Sequence, residues 1–227
     1  TTRKIHEDIY SFYKADVTKY DLDNKLKIMR IYDLMPSNLE NKKKRIIIKD
    51  IEGITGKRFV NYVNEFDYLI HSGIALETKA VSTPTFPLIS NSTKNLIKLY
   101  FNDLGILSNI LFKYNINAIL NDELSVNLGS VYENAVAIEL KAHSHELYYY
   151  DNKHNGEVDF LIDDYDSLSC LPIEVKSGRD YTIHSALDKF VNNKDYNIKS
   201  GIVLSNAREI YVKNKILYLP IYFIMFI

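Results

Sequence analysis

The chain has 227 residues, 46% hydrophobic and 12% aromatic, enough for one large or two ordinary domains with substantial cores. A formal net charge of −1 excludes a global field that gathers polyanions, so any nucleic-acid site has to be a local basic patch. The single cysteine, Cys170, excludes an intramolecular disulfide, and the lack of a secretory leader at the N-terminus points to the reducing cytoplasm.

Helical periodicity covers residues 4–20 and 23–34, the second with Leu26, Ile28, Met29, Ile31 and Leu34 as its apolar stripe. The basic run Lys42, Lys43, Lys44 and Arg45 leads into a strand-like segment at 46–48, a short helix at 49–54 and the turn Thr55-Gly56. A longer helix follows at 57–72, with Phe59, Val60, Val63, Phe66, Leu69 and Ile70 on its inner face, and Gly73 stops it. Residues 74–78 and 81–88 then read as a two-stranded ribbon. Helix, short helix, turn, longer helix and ribbon is the order of a winged helix. In that reading Lys57 and Arg58 open the recognition helix, and together with Lys42, Lys43, Lys44 and Arg45 they are the candidate nucleic-acid contacts. The bland alternative is a protein-interaction module whose basic run is a solvated face.

Residues 97–106 read as a strand that turns at Asp103 and Gly105 into a helix, a connecting element. Near 113–128 the pattern changes from mainly helical to strands alternating with helices. This predicts a helical and winged-helix domain with its connecting segment at 1–112, and an α/β domain at 113–227.

The second domain opens with a helix from 129 to about 143, where Val131, Ala135 and Ile138 recur at helical spacing and Ser130 with Glu133 forms a capping box. Strands follow at 147–151, around Glu157-Val-Asp-Phe and around Ile173-Glu-Val-Lys-Ser, then a helix at 183–192 with Ile183, Leu187, Phe190 and Val191 inward, then a strand at 201–204. Strand, helix, strand closes a parallel crossover. The apolar tail 216–227, interrupted by Pro220, is too short to span a bilayer and reads as a buried terminal strand; no membrane segment is expected.

The chemistry concentrates in two strands. Val158, Phe160 and Ile162 alternate with acids, as do Ile173 and Val175, so each strand has one buried face and one carrying Asp159, Glu174 and Lys176. A hairpin closing symmetrically around 163–170 puts Asp159 opposite Glu174 and Glu157 opposite Lys176, with facing Cβ atoms about 5 Å apart. Opposed carboxylates destabilise a sheet unless a cation shares them, and Mg²⁺ suits oxygen ligands. The adjacent lysine is then placed to orient a water or steady negative charge. The plain alternative is a solvated charged face with a Glu157–Lys176 ion pair. His143 and His145 lack further ligands for a metal. Ser177 and His184 either line the cleft or belong to the polar start of the next helix, alongside Thr182.

Glu133 on its helix, Glu157-Val-Asp159, Ile173-Glu174-Val-Lys176-Ser177 and the helix after them resemble the PD-(D/E)xK, restriction-endonuclease-like fold. Leu99-Tyr-Phe-Asn-Asp-Leu-Gly-Ile106, Gly129-Ser-Val-Tyr-Glu-Asn134, Glu157-Val-Asp-Phe-Leu-Ile162 and Ile173-Glu-Val-Lys-Ser-Gly178 are similar to the C-terminal region of a bacterial family of AAA-type ATPases, which carry a domain of unknown function after the motor. The resemblance implies an α/β fold in which a helical, winged-helix unit precedes a mixed sheet flanked by helices. It implies Asp159, Glu174 and the Val175 carbonyl as ligands of Mg²⁺ or Mn²⁺, Lys176 beside the attacking water, and Glu133 reaching in through a water. The implied activity is metal-assisted hydrolysis of DNA or RNA. Relatives of this fold that only bind imply the alternative, a non-catalytic DNA- or protein-binding regulatory module of an AAA-type ATPase; a module for oligomerisation is a third. Nothing fits G-x-x-x-x-G-K-[ST], since Gly53-Ile-Thr-Gly-Lys57 lacks the loop length and continues with Arg58. The chain is therefore expected to be a fragment or remnant lacking its ATPase, without an ATP site.

Overall fold

The computed structural model describes residues 2–20, 24–113, 115, 117, 121, 127–178 and 180–227. The chain forms two compact units, one from 1–77 with 95–126 and one from 78–94 with 127–227. Among the described residues no helix is long and apolar enough to cross a membrane.

In the first unit, helices α1 (Thr2–Tyr20), α2 (Lys25–Glu40) and α3 (Ile48–Glu52) are followed by a 3-10 turn (Phe59–Tyr62) and α4 (Val63–His71). Helix α2 runs past the expected end at 34, because Ile28, Ile31, Tyr32, Met35 and Leu39 continue one buried stripe at helical spacing. Leu26, expected on that stripe, is 58% exposed. The segment expected as one helix from 57 starts instead as the 3-10 turn, which rotates Val60 out to 70% exposure and turns Tyr62 in. The Tyr62 hydroxyl donates to Glu52 Oε2 at 2.5 Å, satisfying the one polar atom its burial would strand. Gly73 ends α4 as expected: with φ +73° its N–H reaches Ile70 O, and Ile74 N–H reaches Leu69 O, the paired bonds of a Schellman cap.

Strand β1 (Ala75–Val81) returns as β2 (Ser92–Phe101), not at 81–88. Pro84 and Pro87 cannot donate to a ladder, so the ribbon stays open until 92. Segment 46–48 forms no strand; an isolated antiparallel bridge joins Arg45 to Lys98, and α3 starts at Ile48. After β2 the chain turns into α5 (Leu104–Phe112), where the Asp103 side chain accepts from Gly105 N at 2.7 Å.

The second unit begins with α6 (Gly129–Ala142) and continues through β3 (Tyr148–Asn152), β4 (Gly156–Asp164), β5 (Ser169–Lys176), α7 (Ser185–Val191), β6 (Gly201–Ser205), β7 (Tyr211–Lys213) and β8 (Ile216–Pro220). The eight strands form one mixed sheet in the order β2-β1-β3-β4-β5-β6-β8-β7. Strands β3, β4 and β5 are antiparallel neighbours, whereas β5, β6 and β8 run parallel, with α7 as the crossover between β5 and β6. The expected α/β sheet flanked by helices is what forms, with α6 packed on β5 and α7 on β4 and β5.

Three local expectations fail here for identifiable reasons. Ser130 lies inside the first turn of α6 and is 1% exposed; Asn127 Oδ1 takes the capping role by accepting from Gly129 N at 3.1 Å. Ile183 precedes α7 and is 68% exposed, leaving Leu187, Phe190 and Val191 as the inner face. The tail is a strand only to Pro220, after which a 3-10 turn (Ile221–Phe226) buries Ile224 and exposes Phe226.

A β-bulge decides which residues of β4 face which side. Tyr148 pairs with Leu161 but Tyr150 pairs with Val158, so Asp159 and Phe160 together oppose Tyr149. Strict alternation would put Val158 and Leu161 on opposite faces; both join the cluster with Tyr150, Leu187 and Phe190. The Phe190 ring meets Tyr150 edge-on at 4.7 Å. Phe190→Ala is expected to cost roughly 3–5 kcal/mol, read as a fall in the urea midpoint with an unchanged slope.

Candidate functional site

The pairing of β4 with β5 runs in one register from Asp164↔Ser169 to Phe160↔Ile173, the register expected for a hairpin closing around 163–170. One further step brings Asp159 across from Glu174. At that step the backbone ladder gives way to a side chain: Asp159 Oδ2 accepts from Val175 N at 2.8 Å. Because N–H groups of alternate residues leave a strand on the same side, Asp159 and Glu174 fall at a position where facing side chains come closest. A residue's N–H and C=O also leave a strand by the same edge, so the Val175 carbonyl is turned toward Asp159 rather than toward β6. The β3–β4 bulge falls at the same place, at Asp159 and Phe160.

Glu174 is 6% exposed. Its Oε1 accepts from Lys176 Nζ at 2.7 Å, and its Oε2 has no hydrogen-bond partner among the described residues. Burial, and then the negative charge of Asp159, push the Glu174 carboxyl above its ordinary range; Lys176 draws it back, and Glu133 adds a smaller upward push. For Lys176, burial pulls the ammonium down, but Glu174 outweighs it, with Asp159 and Glu133 adding to the gain, and the net displacement is upward. The two displacements oppose each other, since a charged lysine wants a carboxylate while burial favours the acid. A contact of 2.7 Å has the length of a charge-assisted hydrogen bond, which the pair forms whenever the carboxyl is ionised.

Four sequence-expected residues therefore gather at the end of β4 and β5. Asp159, Glu174 and Lys176 are linked through Val175 N and the ion pair. Glu133, 4% exposed on α6, is close enough for its charge to act on both Glu174 and Lys176. Lys176 pairs with Glu174 on its own strand rather than with Glu157 across the hairpin. Among the described residues no group of three or more His, Cys, Asp or Glu is drawn together tightly enough to hold a metal ion alone. The cation that fits Asp159, Glu174 and the Val175 carbonyl is one that keeps several waters, as Mg²⁺ does, and Glu174 Oε2 is the atom such a cation would satisfy.

The other candidates lie elsewhere. Lys42 and Lys43 are exposed and Lys44 and Arg45 half-buried in the link from α2 to α3; Lys57 and Arg58 are exposed just ahead of the 3-10 turn rather than inside a helix. His143 Nδ1 lies 2.6 Å from Ile227 O. His184 does not line a cleft: it is 5% exposed, with Nε2 2.6 Å from the Tyr218 hydroxyl and Nδ1 3.3 Å from Asp188. Ser177 Oγ lies near Gly129 at the start of α6. Asp163 was not singled out from the sequence; its carboxylate accepts from Leu88 N at 3.0 Å and is raised by burial, a structural tie.

The raised carboxyl sets a sign for pH dependence. A group whose pKa rises on folding adds stability while it is protonated, complete below its unfolded value of about 4.3 and lost as the pH climbs through the folded one. In chelator, thermal midpoints are expected to fall between about pH 5 and pH 9, and to fall less in Asp159→Asn, which keeps the acceptor for Val175 N without the second charge.

A family model described as "Domain of unknown function (DUF4143)" matches residues 128–224, the stretch that holds all four site residues. No curated protein and no solved structure matches the chain. A second model, described as "Domain of unknown function (DUF8612)", matches residues 1–115, just over half of the 227, and the chain therefore belongs to the DUF8612 family, with a DUF4143-like region behind it.

Proposed function

We propose that the second unit is a PD-(D/E)xK-type, metal-dependent nuclease domain acting on nucleic-acid phosphodiesters, and that the first is a winged helix that brings it nucleic acid. The observation that carries this is the buried Glu174 carboxylate, with one oxygen on Lys176 and the other without a partner, beside Asp159 where the β4–β5 ladder opens. A carboxylate pair at that depth is costly unless a cation is shared, and a catalytic site is where such a cost is retained. Asp159, Glu174 and the Val175 carbonyl would hold Mg²⁺ or Mn²⁺, which when bound polarises a phosphoryl oxygen and acidifies a water. Glu174 has to be ionised for this, so binding strengthens as the pH rises. Lys176 then turns from its glutamate toward the attacking water, and Glu133 orients that water from α6.

For the first unit, the support is the element order α2, α3, α4, β1, β2, with the antiparallel bridge Arg45↔Lys98 joining the basic link to the ribbon. The resemblance to the C-terminal region of AAA-type ATPases adds an ATPase as the partner of the assembly. The second reading is a non-catalytic regulatory module that binds DNA or a protein; what favours it is the commitment of Lys176 to Glu174 at 2.7 Å.

With Mg²⁺ or Mn²⁺ present, single- and double-stranded DNA and RNA substrates are expected to be cut. Asp159→Asn and Lys176→Ala should each lower the rate by about 10²-fold or more while circular dichroism stays native. Persistent absence of cleavage by the wild type on all four substrates would sink the nuclease reading and leave the binding module.

Substituting Lys57 and Arg58 by alanine should weaken DNA binding at all sequences alike and flatten the plot of log K against log salt by about 1.8. An unchanged slope would remove these residues from the interface.

A further inference from the structure

A second charged feature lies at the far end of the sheet. The end of α7, the 3-10 turn Lys194–Tyr196, the approach to β6 and the turn into β8 border an open surface pocket of about 600 Å³ lined by Lys194, Lys199 and Lys215 together with Asn193 and Asn197. None of its lining residues is acidic. None of the three ammonium groups has a carboxylate partner among the described residues, and the one hydrogen bond any of them makes is from Lys199 Nζ to Asn197 Oδ1 at 3.1 Å. Asn193 Oδ1 is likewise taken, by Asp195 N, so both asparagines have their amide N–H groups left to offer. The frame is held in place: Asn197 and Lys215 adopt left-handed backbone, with φ of +52° and +65°, and Lys215 O accepts from Gly201 N at 3.0 Å.

Three exposed ammonium groups without carboxylate partners around one donor-lined hollow, with Asp195 the acid of the same turn, give it a positive local potential that a multiply charged anion offsets. The pocket has the volume of a small-ligand site and lacks an aromatic wall on which a base could stack. We infer that it is a phosphate-binding site, taking ligands that present several phosphoryl groups. It is distinct from the carboxylate cluster. Lys176 is level with Ser205 at the end of β6, whereas the pocket flanks Gly201 at its start, roughly 13 Å away along the strand. The inference does not depend on the nuclease reading, because it uses no metal and none of the residues assigned to catalysis.

The test is calorimetric titration of the full chain with inorganic tripolyphosphate at low salt in chelator. Binding is expected, and it should weaken as salt is raised. The variant carrying Lys194→Gln, Lys199→Gln and Lys215→Gln should bind at least about tenfold more weakly with an unchanged thermal midpoint, since all three side chains are exposed. Asp159→Asn should bind like the wild type. A single-stranded oligonucleotide that displaces tripolyphosphate identifies a nucleic-acid backbone as the source of the phosphates, and failure to displace it identifies a free polyphosphate or nucleotide. No heat with the wild type, or equal affinity in the triple variant, overturns the proposal.

Discussion

Burial of the Glu174 carboxylate beside Asp159 is the constraint around which the second unit is organised. Two acids brought together in an interior where one is 6% exposed repel each other and lose hydration, a penalty of several kcal/mol per ion before compensation. The protein offsets part of it. Val175 N satisfies Asp159, and Lys176 satisfies one oxygen of Glu174, but Glu174 Oε2 is left out. In an ordinary hairpin the backbone would have kept Val175 N, so the compensation for Asp159 comes at the expense of the ladder. The extra residue that β4 carries against β3 falls at the same place, at Asp159 and Phe160.

The rest of the unit keeps this strained end in place. On one side β5 continues into a parallel ladder with β6 and β8, in which Glu174 pairs with Val203 and Lys176 with Ser205. Parallel strands of this kind are buried on both faces, and Val203 and Leu204 of β6, successive residues pointing oppositely, are both buried. Leu187 and Phe190 of α7 close the core that Val158 and Leu161 share, while α6 carries Glu133 against β5. The charged end of the sheet therefore rests on an apolar cluster that includes none of Glu133, Asp159, Glu174 and Lys176. A site that costs stability can persist on such a scaffold, as it does in many enzymes.

The hairpin was legible because its signals are local. Alternation over 160–164 and 169–176, with a polar turn between, determines the β4–β5 register, and that register determines which carboxylates meet, whereas the bulge that breaks the alternation between Val158 and Leu161 was not legible. Gly73 was legible as a helix stop for the same reason, since only a residue tolerant of positive φ closes that cap without strain. What was misread depended on partners far away in sequence. Helix α2 passes Leu34 because residues beyond it find a core to enter, and Val60 faces outward because a 3-10 turn changes the angular step. The apolar tail divides at Pro220, and its strand half exists only because β6 offers it a parallel edge. The lysines of the surface pocket, at 194, 199 and 215, carry no shared motif; two separate turns bring them to one hollow.

The amino-acid sequence by itself determined the α/β class and the identity of the residues that carry charge into the sheet, because periodicity and turn chemistry act over a few neighbours; the exchange of 78–94 into the second unit was not legible in it. Only the tertiary structure decided the state of those charges. Whether Glu174 is solvated or buried, whether Lys176 answers Glu157 or Glu174, and whether Asp159 meets water or a backbone N–H all depend on how strands and helices distant in the chain close over them. Desolvation is a property of the assembled interior, and no spacing along the chain encodes it.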